Sequence, residues 1–182
     1  MPNHCENELT ISGNAATVRK VLEAIAPLEP DETGTRLGHI SFDRIIPYPE
    51  EYAAKDRAYE EARAAIMLLP PEERVRRTMV EDGYNNGGYT WCCENWGTKW
   101  DAYSQGPIAP ESLEGLRKVK LRFDTAWSPP KPVIIKLGQM FPEAIFRLQY
   151  WEGGACFQGK LVVCRGEVDV DECKEYHGSR GF

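Results

Sequence analysis

The segment from Lys118 to Thr125 narrows the possible folds more than any other, because its apolar and charged residues alternate without a break. Val119, Leu121 and Phe123 fall on one side of an extended backbone, and basic residues lie between them. The prolines at positions 129, 130 and 132 cannot donate to a strand ladder, so the strand must end before them. The segment therefore predicts a strand with one buried face and one charged face.

Patterns of the same kind occur on both sides of this strand. Leu9 and Ile11 alternate with polar residues, which predicts a first strand. Apolar residues at helical spacing predict a helix at residues 16–26 and a second helix that starts at the prolines after Ser128 and has its buried stripe between Val133 and Phe141. Further strands are predicted at residues 40–46, 144–151 and 156–164, and further helices at residues 50–69 and after Pro71.

The order of these elements is β-α-β, a helical insertion, and then β-α-β-β. Two helices on one face of an antiparallel sheet define an α+β, ferredoxin-like split βαβ architecture. It would carry a helical insertion at about residues 50–90 and an extra C-terminal strand. We expect a single domain over residues 1–182, with a frayed acidic tail at about residues 167–182.

Charge and hydropathy limit the classes of function. The 182 residues carry a net charge of −6, which argues against a general nucleic-acid coat and is compatible either with a basic partner or with a role in solubility alone. No apolar run approaches the roughly 20 residues of a membrane span, and the N-terminus lacks the basic and apolar parts of a signal peptide. We therefore expect a cytoplasmic protein whose six cysteines are thiols.

Four motifs occur in one order along the chain: MPNHCENELTISG, ENWGTKWDA, FDTAWSPP and FPEAIFRLQYWEGGACFQG. Together they resemble the YubB-like family of plasmid and phage proteins, which has a C-terminal ferredoxin-like domain. The chain departs from the family at His4, where a tryptophan is common. The resemblance implies a fold and an origin on a mobile genetic element, and it brings no catalytic residue.

The cysteines and histidines lack the spacing of a metal or nucleophile site. Structural zinc sites use paired CxxC or HxxxH spacings, and neither occurs here. Cys92 and Cys93 are adjacent and would point to opposite faces of a strand, and His4 and Cys5 are separated in the same way. We predict no catalytic residue, no metal ligand and no cofactor.

The segment from Trp91 to Tyr103 holds three tryptophans. If it is extended, Trp96 and Trp100 share one face and hold the helical insertion against the sheet. The alternative places the tryptophans around a ligand cleft between the insertion and the sheet. The candidates for ligand or partner binding are Trp91, Glu94, Trp96, Lys99, Trp100, Asp101 and Trp127.

The open face of the predicted sheet supplies a second set of candidates. An open ferredoxin-like sheet can stack nucleic-acid bases, although the basic-glycine-aromatic pattern of RNA-recognition domains is missing. The candidates for nucleic-acid binding on this face are Lys118, Lys120, Arg122, Arg147 and Trp151.

Three hypotheses follow. The leading one is a non-enzymatic binding protein of a phage or plasmid that acts on a host protein, with an inhibitor of a host defence system as one specific form. The alternative is a nucleic-acid-binding module that uses the open sheet face. A second alternative is an enzyme that uses the tryptophan-lined cleft, with Glu94, Lys99 or Asp101 beside its substrate.

Overall fold

A computed structural model describes residues 3–31, 34–74, 77–105 and 115–178. Five strands in this part of the chain form one antiparallel sheet: β1 (His4–Ser12), β4 (Lys118–Ala126), β5 (Ile145–Glu152), β6 (Phe157–Cys164) and β7 (Glu167–Glu175). Their order in the sheet is β4-β1-β5-β6-β7. The N-terminal strand therefore lies between two strands from the C-terminal half of the chain.

Two helices bury the core face of this sheet, as the sequence predicts. Helix α1 (Ala15–Ile25) begins after Asn14, whose side chain accepts a hydrogen bond from the Thr17 amide at 2.9 Å. Helix α5 (Lys131–Met140) starts where the prolines end β4. The core comprises the apolar stripes of both helices and alternate residues of β1, β4, β5 and β6, so one face of the sheet stays open.

The segment between α1 and β4 contains a small hairpin and several helices. Strands β2 (Leu28–Asp31) and β3 (Gly34–Leu37) form the hairpin. Helices α2 (Glu50–Met67), α3 (Pro71–Arg74) and α4 (Tyr89–Asn95) follow, with a π-helical turn at Tyr84–Gly88. The predicted helices at residues 50–69 and after Pro71 are confirmed, although α2 buries none of its side chains.

Two predictions about this fold are wrong. Residues 40–46 form turns instead of a strand, and Ile40, Phe42 and Ile45 anchor them in the core. The predicted frayed tail is instead strand β7 as far as Glu175, because its backbone pairs with β6 along the whole of that strand. Residues 179–182 lie outside the described part of the chain. No helix in the described residues is both long and apolar enough to cross a membrane.

Candidate functional site

The tryptophan-rich segment is not extended, contrary to the sequence prediction. Trp91 lies in α4, and a loop runs from Trp96 to Tyr103. At its end, Tyr103 and Asp124 exchange two backbone hydrogen bonds of 3.0 and 2.8 Å, which fasten the loop to the edge strand β4. Trp96 and Trp100 therefore do not share a face.

Trp96 belongs to the core. Its indole is 6% exposed and makes edge-on contacts with Phe42 and Trp91. The indole N–H donates to the carbonyl oxygen of Ile46 at 2.8 Å, which satisfies the one polar atom of the side chain. Trp96 thus joins the end of α4 to the turns at residues 40–46, which fits the structural role predicted for it.

Trp100 and Trp127 lie at the surface, where 40% and 56% of each residue is exposed. The ammonium group of Lys99 lies 4.1 Å from the ring centroid of Trp100 and 4.9 Å from that of Trp127. Both distances suit cation–π attraction, so Lys99 is held between two indoles. We call Lys99, Trp100 and Trp127 the tryptophan clamp. The core role predicted for Trp100 is wrong, because much of its ring faces solvent.

Hydrogen bonds between two loops hold the clamp together. The Thr98 hydroxyl donates to the Ala126 carbonyl at 2.9 Å, and the Ser128 hydroxyl donates to the Gly97 carbonyl at 2.6 Å. Trp127 itself has φ +75°, an uncommon value for a bulky residue, and its amide donates to the Asn3 carbonyl at 3.0 Å. The backbone thus presents the Trp127 indole outward at a local cost in strain.

A small cavity of about 180 Å³ lies beside the clamp, and it is lined by residues of the helical insertion and the loop after α4, not by residues of the sheet as predicted. It brings together four of the residues predicted around a cleft: Trp96, Lys99, Trp100 and Asp101. The other cavity-lining residues are Tyr48, Asp56, Tyr84 and Cys92. Trp91 packs behind Trp96, whereas Glu94 is exposed on α4 and Trp127 belongs only to the clamp. The seven residues predicted for ligand or partner binding are therefore divided among several places.

Asp101 and Cys92 are the cavity-lining groups with the chemistry of an acid or a nucleophile, and both have structural roles. The Asp101 carboxylate accepts hydrogen bonds from the Phe42 amide at 2.7 Å and the Ser41 hydroxyl at 2.9 Å, and burial raises its pKa. Burial also raises the pKa of the Cys92 thiol to about 12, so it stays protonated at neutral pH. Among the described residues, no three His, Cys, Asp or Glu side chains are placed to share a metal ion.

The five residues predicted for nucleic-acid binding all lie on the open face of the sheet. Alternation along β4 and β5 puts them opposite the residues that pack against the helices. Lys120 and Arg122 are engaged within the chain, since Glu8 binds them at 2.7 and 3.1 Å. These contacts lower the pKa of Glu8, the Lys120 hydrogen bond most. Lys118 and Arg147 are exposed, and Trp151 is half-buried.

A larger pocket of about 480 Å³ lies at the end of the open face nearest the clamp. Its lining combines acidic, amide and aromatic side chains, including Glu6, Asp124, Gln149, Trp151 and Gln158. Of the residues that line this pocket, the sequence singled out Arg122 and Trp151 as site candidates. The cross-strand register of β1 and β4 brings Glu6 opposite Asp124, and no local sequence pattern reveals that register. We call this cavity the acidic pocket.

Comparisons with known proteins support the fold. Residues 95–179 match the family model described as a ferredoxin-like domain in Api92-like protein. The solved crystal structure of a protein api92 from Yersinia pseudotuberculosis aligns over 98% of this chain and 99% of that chain, with a TM-score of 0.53 and 12% identity. No curated protein matches the chain. The predicted ferredoxin-like fold is therefore confirmed, and the chain is similar in its C-terminal half to the Api92-like proteins.

Proposed function

We propose that this chain is a non-enzymatic binding protein and that the tryptophan clamp is its contact surface for another protein. The single observation that carries the proposal is the exposure of Trp100 and Trp127 on either side of Lys99. Tryptophan is strongly enriched among the residues that dominate protein–protein binding energy, and two of them here share one small surface.

The clamp is ordered before any partner arrives. The hydrogen bonds from Thr98 and Ser128 fix the two loops, and Lys99 holds the two indoles at a set distance. A surface that is already ordered loses little side-chain entropy on association, so more of the contact energy appears as affinity. The adjoining cavity of about 180 Å³ offers a small pocket for an apolar side chain of the partner.

The proposed biological setting rests on the sequence. The four ordered motifs resemble a family of plasmid and phage proteins, so the proposed partner is a protein of the host cell. A net charge of −6 favours a basic partner, and an acidic protein can occupy a nucleic-acid-binding groove. Inhibition of a host defence protein is the specific form of this proposal.

The test is capture of a partner followed by reconstitution with pure components. Immobilised wild-type protein is compared with Trp100→Ala/Trp127→Ala and with Leu68→Ala in lysates of several bacterial hosts. Leu68 is a matched control, because it is 88% exposed at the end of α2, in the helical insertion. We expect a protein that binds saturably to the wild type and to Leu68→Ala, and whose affinity falls at least tenfold for the double variant.

Two outcomes would contradict the proposal. One is the absence of any saturable partner across the hosts. The other is a purified partner that binds the double variant and the wild type equally well.

Nucleic-acid binding through the open face is a second candidate, favoured by the shared face of Lys118, Arg147 and Trp151. It has less support, since Lys120 and Arg122 already neutralise Glu8. Labelled single-stranded RNA and DNA are titrated at low and high salt against wild type and Lys120→Glu/Arg122→Glu. A salt-sensitive affinity that the double charge reversal abolishes would support it, and no binding at low salt would exclude it.

A further inference from the structure

Within the described residues, the Lys99 side chain is held by aromatic rings alone. Its ammonium nitrogen lies 4.1 Å from the ring centroid of Trp100 and 4.9 Å from that of Trp127, and it forms no ion pair with a described residue. The two indoles make no ring contact with each other in the same part of the chain, so the ammonium is the group they share. Two exposed rings that attract one positive charge have the form of a cation cage.

The backbone that carries both indoles is fixed without the Lys99 side chain. Tyr103 contacts the Trp100 ring edge-on, with 6.4 Å between the ring centroids. The Trp127 amide donates to the Asn3 carbonyl at 3.0 Å, and the loop hydrogen bonds described above hold the two loops together. The indoles therefore stay available to a second cation when the ammonium of Lys99 moves away.

Lys99 can leave the cage by rotation of its side chain alone. Its backbone stays in place, because the Tyr84 hydroxyl donates to the Lys99 carbonyl at 3.2 Å. Its ammonium lies at the end of a flexible four-carbon stem, and Trp100 and Trp127 are 40% and 56% exposed. A cationic ligand from solvent can thus replace Lys99 and keep the cation–π attraction of both rings.

The chemistry of the clamp favours a quaternary ammonium group over a primary one. A primary ammonium has three N–H donors that need acceptors, whereas a quaternary ammonium has none to satisfy on entering an aromatic site. The carboxylate next to Trp100 in the sequence, Asp101, already accepts hydrogen bonds from the Phe42 amide and the Ser41 hydroxyl. A cation without N–H donors therefore fits this site best.

From these features we propose that the tryptophan clamp is a cation cage for a quaternary ammonium group, and that Lys99 occupies the cage until such a ligand replaces it. Two cation–π contacts at an exposed site favour the occupied form by about tenfold, so Lys99 weakens ligand binding by about the same factor. That the group is a trimethylated lysine of the partner protein rests on the proposed function, whereas the chemistry of the cage does not.

NMR titration of isotope-labelled protein tests the cage through the indole N–H signals of Trp100 and Trp127. The probes are choline, its uncharged carbon analogue with a tert-butyl group, N-acetyl-trimethyllysine methylamide and N-acetyl-lysine methylamide. We expect both quaternary probes to bind saturably in the millimolar range, the primary lysine more weakly and the carbon analogue not at all. Tighter binding of the trimethyllysine probe than of choline supports a protein side chain as the source, and tighter binding of choline overturns that source.

Removal of the resident lysine gives the sharpest prediction. Lys99→Ala vacates the cage and should bind choline about tenfold more tightly than wild type. Lys99→Arg keeps a cation against the rings and should bind choline no more tightly than wild type. Lys55→Ala makes the same change in net charge as Lys99→Ala at an exposed position of α2, and it should leave choline binding unchanged. Trp127→Gly added to Lys99→Ala should reverse the gain.

Three results would overturn the cage. The first is a carbon analogue that shifts both indole signals as choline does. The second is a Lys99→Ala protein, shown to be folded by its amide spectrum, that binds choline no more tightly than wild type. The third is a Lys99→Ala/Trp127→Gly protein that binds choline as tightly as Lys99→Ala. Each of these results leaves the capture experiment intact, because that experiment uses no ammonium probe and a protein can contact the exposed indoles directly.

Discussion

The indole nitrogen of Trp96 lies 2.8 Å from the carbonyl oxygen of Ile46, fifty positions earlier in the chain. This hydrogen bond joins the end of α4 to a stretch of turns that has no sheet partner of its own. Four positions later in the sequence, Trp100 faces solvent beside Lys99. Two tryptophans of one short segment therefore have different tasks, one in the core and one at the surface.

This division predicts different effects on stability. Trp96→Ala should lower the free energy of unfolding by about 3–5 kcal/mol, since it empties a large buried site and leaves the Ile46 carbonyl without its donor. Trp100→Ala should cost about 1 kcal/mol or less, because its ring is 40% exposed. Urea unfolding of both variants measures the difference. Equal losses would restore the core role that the sequence predicts for Trp100.

For the substitution Gly138→Ala in α5, the sequence and the structure predict opposite effects on stability. Glycine in a helix costs about 1 kcal/mol relative to alanine, so the sequence alone favours Gly138→Ala as a stabilising change. A Cβ at this position, however, would overlap Val163 Cγ1 on β6 and lie 3.1 Å from its Cβ. We expect Gly138→Ala to destabilise the fold by about 1–3 kcal/mol.

Thermal and urea unfolding of Gly138→Ala test this prediction. Gln139→Ala is the control, because its side chain is exposed one position along the same helix. A Gly138→Ala protein more stable than the wild type would mean that α5 does not pack as closely on β6 as described.

Glu8 should give the fold a specific response to acid. Its contacts with Lys120 and Arg122 lower its pKa below the usual 4.5, so its carboxylate contributes stability above about pH 4.5. That contribution is lost as the pH falls through the lowered pKa of the folded protein. Glu8→Gln should therefore be less stable than wild type by about 0.5–1 kcal/mol at pH 7, with the gap closing below pH 4.5.

Unfolding free energies of the wild type and Glu8→Gln between neutral and acidic pH check the sign. Glu167→Gln is the control, because Glu167 is an exposed carboxylate on β7. If the difference in unfolding free energy between the wild type and Glu8→Gln grows as the pH falls, a lowered pKa for Glu8 is contradicted.

The sheet and its two covering helices could be predicted because burial on one face imposes a period of two on the strands. The same alternation placed Lys118, Arg122 and Trp151 on the open face without any knowledge of their neighbours. It failed at residues 40–46, where Ile40 and Phe42 imitate a strand but anchor a turn.

The sequence did not predict helix α4, because residues that favour strands form a helix there. Its tryptophan, tyrosine and cysteines favour strands locally, but Cys92 and Trp96 are four positions apart and both buried, which is helical spacing. Tertiary packing decided the local structure there. That spacing was a signal in the sequence that could have predicted the helix.

The sequence could predict several residues of the candidate site, but it could not predict how those residues are placed relative to one another. Lys99 and Trp127 are 28 positions apart, and their contact depends on hydrogen bonds between the loops that carry them. The opposition of Glu6 and Asp124 depends on strand register, which a one-residue shift would abolish. Neither relationship leaves a pattern in the sequence.

The most direct measurement of the central claim is the affinity of a reconstituted partner for Trp127→Gly. Glycine accepts the φ of +75° without strain, so the relief of about 1 kcal/mol should offset the lost Lys99 contact and leave stability near wild type. Calorimetric titration of the purified partner should then show at least a tenfold loss of affinity for Trp127→Gly and none for Leu68→Ala. Wild-type affinity in a folded Trp127→Gly protein would contradict the account.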